Sequence, residues 1–66
     1  MNAELAGNEL RKAEKRKEII DGAIRAFQQE GFERASMDLV AELAGASKRT
    51  VYNHFESKKD LLWAVI

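Results

Sequence analysis

The chain has 66 residues, enough for one small domain near the lower size at which a hydrophobic core stabilises itself. It has no cysteine and a single histidine, which excludes disulfides, thiolate metal sites and a metal site built from histidines. Its 11 basic and 11 acidic residues give a net charge of zero, which counts against nucleic-acid binding unless the basic residues gather on one side.

Apolar residues recur with helical rather than alternating spacing, and there is no proline, so an all-α fold is predicted. Residues 1–9 lack periodicity, and we expect them to be disordered, with a folded domain over residues 10–66. Helix 1 is predicted from about Leu10 to Glu30, and Gly31 is expected to end it in the left-handed conformation. Either a close helix crossing or plain tolerance would account for Gly22 inside this helix. The inward stripe of helix 1 consists of Ile19, Ile20, Ala23, Ile24, Ala26 and Phe27.

Helix 2 is predicted to begin after Ser36, a favourable N-cap residue, and to stop at Gly45. Helix 3 spans about residues 47–55, with Ser47 as its cap. Two short helices joined by a tight glycine turn are typical of helix-turn-helix domains, in which the second helix enters a DNA major groove. The inward residues of helix 2 are Met37, Val40, Ala41 and Ala44.

Helix 4 is predicted to start at Ser57, which opens a sequence resembling a capping box with Asp60 in the place of the usual Glu or Gln. Trp63 falls off the apolar stripe of this helix. The stripe still continues where the chain ends, so we expect a longer parent protein. The stripe consists of Leu61, Leu62, Val65 and Ile66.

Helix 3 has two faces of different chemistry. Val51 and Phe55 point to the core at about 100° per residue. An arginine can bond guanine bidentately and an asparagine can bond adenine, whereas Thr, Tyr and His can bond phosphate oxygens. The polar arc carries no acid; it consists of Ser47, Arg49, Thr50, Asn53 and His54, with Lys48 and Tyr52 at its flanks.

Each of these features also has a plainer interpretation. A polar helix face is usually only solvated, Tyr52 fits a core-edge position, and His54 fits an ordinary surface position. Lys58 lies near a helix start, where the dipole disfavours a cation, so phosphate binding or simple solvation would both fit it. A basic run near the N-terminus is either a mobile arm or helix extension that contacts DNA, or a solvated helix face. The run contains Arg11, Lys12, Lys15, Arg16 and Lys17.

From Arg16 to Val65 the chain resembles the N-terminal domain of the tetracycline-repressor (TetR) family of bacterial transcription regulators. The resemblance extends over four consecutive helices at the family's spacing, which is far more specific than a lone glycine turn. The residues that carry it are Ile19, Ile20, Ala23, Phe27, Glu30-Gly31-Phe32, Ser36-Met37, Val40-Ala41, Ala44 to Lys48, Thr50-Val51-Tyr52, Phe55, Ser57-Lys58 and Leu61.

The resemblance implies a homodimeric repressor that binds a palindromic operator in double-stranded DNA through helix 3. A C-terminal helical domain, absent from this chain, would dimerise and bind a small-molecule inducer. Arg49 and Asn53 match variable positions that read bases. No cofactor is expected, and we expect a cytoplasmic, nucleoid-associated bacterial protein without a membrane partner. Positions that match DNA contacts, mainly to phosphates, are Ser36, Lys48, Thr50, Tyr52, His54 and Lys58.

The chain departs from the family pattern at several positions. Arg49 stands where many members have glycine, and Ala46 replaces the common valine. Asp38 lies at the outer start of helix 2, where a carboxylate facing DNA would be repulsive. We therefore expect Asp38 to support the helix dipole or to orient a neighbouring arginine.

The sequence thus predicts an all-α bundle with a helix-turn-helix, similar to a homeodomain, of three helices and the start of a fourth. DNA binding by Ser36, Ser47 to Thr50, Tyr52 to His54 and Lys58 is the expected function. The alternative is a helical protein-interaction module that never touches DNA, and a steep salt dependence of DNA binding would separate the two. The residues by themselves leave repression and activation open. We do not expect an enzyme, because the sequence has no catalytic nucleophile, no pair of general-base residues, no metal-ligand cluster and no phosphate-binding loop at a suitable spacing.

Overall fold

The computed structural model describes residues 3–66 and contains four helices there: α1 (Ala3–Glu30), α2 (Met37–Ala44), α3 (Lys48–His54) and α4 (Lys58–Val65). α1 packs against both α2 and α4, and α2 packs against α3. The predicted all-α architecture is confirmed, and α2 and α3 with the turn between them form the helix-turn-helix. No helix in the described part of the chain is both long and apolar enough to cross a bilayer.

The start of α1 differs from the prediction. α1 begins at Ala3, not near Leu10, so residues 3–9 are helical where we expected disorder. Adding residues to an existing helix needs no new nucleation, and Ala, Glu and Leu before Gly7 are strong helix formers. Met1 and Asn2 lie outside the described residues, and the division of the chain into residues 1–9 and 10–66 stays a prediction.

The core lies where α1 crosses the helix-turn-helix and α4. The predicted stripes of α1 and α2 supply most of it, although four stripe residues are only half-buried: Ile20, Ile24, Phe27 and Ala44. Placing Ile66 on the buried stripe was wrong: it follows the last residue of α4 and is 82% exposed. Trp63 lies off the stripe as predicted and is 70% exposed. The buried residues are Ile19, Ala23, Ala26, Ala35, Met37, Val40, Ala41, Val51, Phe55 and Leu61.

Serine side chains begin α2, α3 and α4, as predicted from their N-cap preference. Each serine has an extended backbone, and its hydroxyl oxygen accepts a hydrogen bond from the amide three residues later. The donors are Leu39 for Ser36 at 3.0 Å, Thr50 for Ser47 at 3.1 Å and Asp60 for Ser57 at 3.3 Å. These caps fix where the short helices start, and therefore which side chains α3 exposes.

Glycines set the turns and the closest helix contact. Gly31 (φ 81°) and Gly45 (φ 66°) adopt the left-handed conformation that was predicted for the end of α1 and suits the stop of α2. Gly22 lies against α2, because a β-carbon there would sit 2.9 Å from the Ala44 nitrogen and 2.9 Å from its β-carbon. A close crossing of α1 and α2, and not simple tolerance, therefore explains Gly22.

Candidate nucleic-acid interface

α3 presents one apolar and one polar side, as its sequence predicted. Val51 is fully buried, and Phe55, which follows the helix as its C-cap, is 5% exposed. Thr50 and His54 are half-buried rather than fully outward. We call the solvent-facing set the exposed α3 face; it consists of Ser47, Lys48, Arg49, Tyr52 and Asn53.

The base-reading candidates lie on this exposed α3 face. Arg49 and Asn53 are four residues apart on one helix, so their side chains project from the same side. The first turn of α3 contains no acidic residue. A guanidinium and a carboxamide next to each other can bond the edges of neighbouring bases, which is the chemistry expected from the sequence.

Three hydroxyl residues among the predicted DNA contacts also have structural roles. The Ser47 and Thr50 hydroxyl oxygens lie 2.9 Å apart, and Ser47 caps α3. Ser36 likewise caps α2 while remaining exposed. Each serine oxygen accepts a backbone hydrogen bond, so a serine O–H can still donate to a phosphate; for Ser47 this requires that Thr50 donates in the bond between their two hydroxyls. Capping and phosphate contact are therefore compatible.

Tyr52 is 44% exposed at the flank of α3. It is one of the exposed large apolar side chains and is not among the partly buried hydrophobic residues that pack against the core. The structure therefore leaves the Tyr52 side chain accessible to a ligand, and its contact with a phosphate stays a prediction.

Lys48 makes an ion pair that the sequence did not predict. Its Nζ lies 3.3 Å from Asp38 Oδ1, so the first turns of α2 and α3 are joined on the surface. We expected Asp38 to support the dipole or orient an arginine; its partner is a lysine instead. Both residues start helices, where the dipole favours Asp38 and disfavours Lys48, so the pairing offsets the unfavourable position of the lysine.

Lys58 also has partners within the protein. Its ammonium donates to the Glu33 carbonyl oxygen at 3.1 Å and lies 4.5 Å from the centre of the Phe32 ring. Phe32 in turn packs on Phe27, with ring centres 5.4 Å apart. Lys58 therefore connects the start of α4 to the α1–α2 loop, and these contacts offset its unfavourable position at a helix N-terminus.

Arg16, predicted only as part of the basic run, contacts an aromatic ring far from it in the sequence. Its guanidinium carbon lies 4.6 Å from the centre of the Phe55 ring, at the end of α3. A cation–π contact of this exposed kind is worth roughly 0.5–1 kcal/mol. The contact links α1 to the end of α3, and no periodicity argument could have paired residues so far apart in sequence.

The rest of the basic run lies on α1. Residues 11–17 are helical, and Lys15 pairs with Glu18 at 3.1 Å. The interpretation as a mobile arm is thus not supported for this segment. A helix extension and a solvated helix face both remain consistent with the fold.

Comparison with known proteins shows the family. Residues 19–65, more than half of the chain, match the family described as bacterial regulatory proteins, tetR family. The chain belongs to the TetR family. The resemblance recognised in the sequence is confirmed, since the matched region includes the core of the bundle and the whole helix-turn-helix.

Relatives of this TetR-family chain are named as regulators of transcription. It is 40% identical over 60 residues to the HTH-type transcriptional activator FasR of Mycolicibacterium smegmatis, covering 91% of the chain and 27% of the relative. It is 40% identical over 53 residues to the HTH-type transcriptional regulator TtgR of Pseudomonas putida, covering 80% of the chain and 25% of that protein. The HTH-type transcriptional repressor AcnR of Corynebacterium diphtheriae is 35% identical over 51 residues, which cover 77% of the chain and 27% of AcnR.

The TetR-family chain therefore spans about a quarter of the length of the curated relatives it matches. No solved structure matches it. These relatives include one protein named as an activator and one named as a repressor. Similarity in this part of the chain is therefore found with both kinds of regulator.

Proposed function

We propose that this chain is the DNA-binding domain of a TetR-family transcription regulator, with α3 in the major groove of double-stranded DNA. The observation that carries the proposal is the exposed α3 face, a set of polar residues none of which is acidic, on a helix held by a serine cap and a buried opposite side. A short helix fixed in this way can bring its side chains to base edges without first folding. The regulatory relatives support the same function.

The proposed contacts divide into two kinds. Arg49 and Asn53 read base edges, because their side chains offer bidentate hydrogen bonds from neighbouring turns of α3. The other contacts hold the helix in register by bonding the DNA backbone, which positions but does not specify. These backbone contacts are Ser36, Ser47, Lys48, Thr50, Tyr52, His54 and Lys58.

The salt dependence of duplex binding tests this function. A domain that neutralises phosphates releases counterions, so the logarithm of its affinity falls linearly with the logarithm of salt concentration. We expect a slope of several units for the 66-residue chain titrated into a labelled duplex. Binding that does not depend on salt, or no binding, would favour the alternative of a protein-interaction module.

We further propose that the full-length regulator is a homodimer on a palindromic operator. A C-terminal domain beyond these residues would provide dimerisation and the binding of a small-molecule inducer. Two copies of α3 would then contact half-sites about 34–36 Å apart, one turn of DNA. Such a protein acts on the chromosome in the cytoplasm, and it represses a promoter that overlaps the operator because bound protein excludes polymerase.

The 66-residue chain should by itself be mainly monomeric and a weak DNA binder. Without a tether between two copies of α3, an avidity factor of about 10²–10⁴ is lost. Sedimentation at micromolar concentration should show monomer, with binding to an operator far weaker than nanomolar. A tight dimer with nanomolar binding would place the dimer interface within these helices.

The side chains that contact the DNA backbone should contribute equally to binding of every DNA sequence. Tyr52→Phe and Lys58→Ala should weaken binding to selected and scrambled duplexes by similar factors, and Lys58→Ala should also lower the salt slope by about one. Lys59→Ala is the matched control, because it removes a neighbouring exposed charge that lacks the Glu33 contact. If Lys58→Ala lowers only the melting temperature and leaves the slope unchanged, Lys58 serves the fold and not DNA.

A further inference from the structure

The ion pair between Asp38 and Lys48 lies on the surface that the proposed function assigns to DNA. Asp38 is in the first turn of α2, and Lys48 is the first residue of α3. Both side chains are largely exposed, 71% for Asp38 and 58% for Lys48, and the carboxylate oxygen lies 3.3 Å from the ammonium nitrogen. The pair therefore sits next to Arg49 and within reach of any polyanion that approaches α3.

The charge balance of this surface changes because of Asp38. An approaching phosphate meets the ammonium of Lys48 together with a carboxylate at 3.3 Å, so much of the attraction of the lysine is cancelled. Only two ion pairs occur among the described residues, and the other one, between Lys15 and Glu18, lies within α1. Asp38 is thus the acid that neutralises a cation at the start of α3.

We propose that Asp38 competes with a DNA phosphate for the ammonium of Lys48. In the free protein the Asp38 carboxylate pairs with Lys48, and this pairing weakens the binding of Lys48 to the DNA backbone. The proposal rests on the proposed function. When α3 docks, the phosphate competes with the Asp38 carboxylate for the ammonium of Lys48. The free energy that Lys48 contributes to DNA binding is lowered by the free energy of its ion pair with Asp38. Ion pairs between exposed side chains are weak, so this reduction is small. Asp38 thereby sets how strongly the domain binds DNA of any sequence.

The test compares wild type with Asp38→Asn, Lys48→Gln and the double variant, titrated into a labelled scrambled duplex over a series of salt concentrations. Asp38→Asn should tighten binding about two- to fivefold at low salt, the range that corresponds to one exposed ion pair. Its salt slope should steepen by about 0.9, because Lys48 then counts fully as a phosphate contact. In the Lys48→Gln background, removing the Asp38 charge should have a clearly smaller effect.

Asp21→Asn is the control for net charge. Asp21 is exposed on α1 and belongs to neither of the two ion pairs among the described residues, so its substitution should raise affinity less than Asp38→Asn does. Circular dichroism of each variant should show the helical content of wild type, since both residues of the pair are exposed.

Three outcomes would overturn the inference. Weaker binding by Asp38→Asn would show that Asp38 orients Lys48 toward DNA instead of competing for it. An Asp38→Asn effect of equal size with and without Lys48 would show direct repulsion of DNA by the carboxylate. An Asp21→Asn effect as large as that of Asp38→Asn would reduce the effect to net charge. By contrast, absence of salt-dependent binding in wild type and in every variant would contradict the proposed function itself.

Discussion

Replacing Gly22 with valine should remove a large part of the stability of the domain. A β-carbon at this position would lie 2.9 Å from the backbone nitrogen of Ala44, and backbone atoms of a packed helix cannot move aside as a flexible side chain can. The two methyl groups of valine add further overlap, so we expect a loss near the upper end of overpacking costs, roughly 3 kcal/mol. A chain of this size has a total stability of only about 3–10 kcal/mol.

Thermal unfolding followed by circular dichroism measures this effect. Each kcal/mol corresponds to about 4–8 °C in a domain of this size, so the midpoint should fall by about 12–24 °C. Ala13→Val is the control, because Ala13 is exposed on the same helix and reports the helix propensity of valine alone, about 0.5 kcal/mol. A Gly22→Val midpoint equal to that of the control would show that α1 and α2 do not approach as closely as described.

The second large effect is expected on DNA readout. Arg49→Ala should lower affinity for the preferred duplex by roughly 1–3 kcal/mol, about 5- to 150-fold, and relax selectivity at one base position. The reason is that Arg49 lies on the exposed α3 face, where a truncated side chain can no longer bond a base edge. Affinity for scrambled duplexes should fall much less.

Binding profiles across single-base variants of the preferred duplex measure this role. Arg25→Ala is the matched control, since it removes an exposed arginine from α1 and not from α3. The control should weaken binding slightly and keep the wild-type profile. An Arg49→Ala protein with a wild-type profile would mean that Arg49 contacts only the backbone or only water.

The elements that local rules govern could be predicted from the sequence. Ser36, Ser47 and Ser57 cap the helices they were expected to cap, because an N-cap depends on residues within three positions. Gly31 and Gly45 take the left-handed conformation at helix ends for the same local reason. The apolar period likewise predicted most of the core.

What the sequence could not predict is which side chains meet across the fold. Lys58 and the Glu33 carbonyl are 25 residues apart, and the pairs Arg16–Phe55 and Asp38–Lys48 also depend on how helices cross. Periodicity shows the face on which a residue lies but not its partner there. The helix of residues 3–9 was missed because propagation from a long helix outweighs a weak local signal.

In the candidate site, too, local features could be predicted from the sequence, whereas contacts between helices could not. The helical period predicted the buried side of α3 and the exposure of Arg49 and Asn53, but it placed Thr50 and His54 fully outward, where the structure has them half-buried. The structure added that Lys48 and Lys58, both expected to hold phosphates, already have partners within the protein. A sequence shows that a lysine is charged, whereas only packing shows what else competes for that charge.

The central claim is that α3 reads a DNA sequence. The most direct measurement selects the preferred duplex from a random library and then compares dissociation constants for that duplex and a scrambled one at the same salt concentration. We expect a preference of at least about tenfold for the selected duplex, since even one mismatched base pair costs roughly 1–3 kcal/mol. Equal affinity for the selected and scrambled duplexes would contradict the claim.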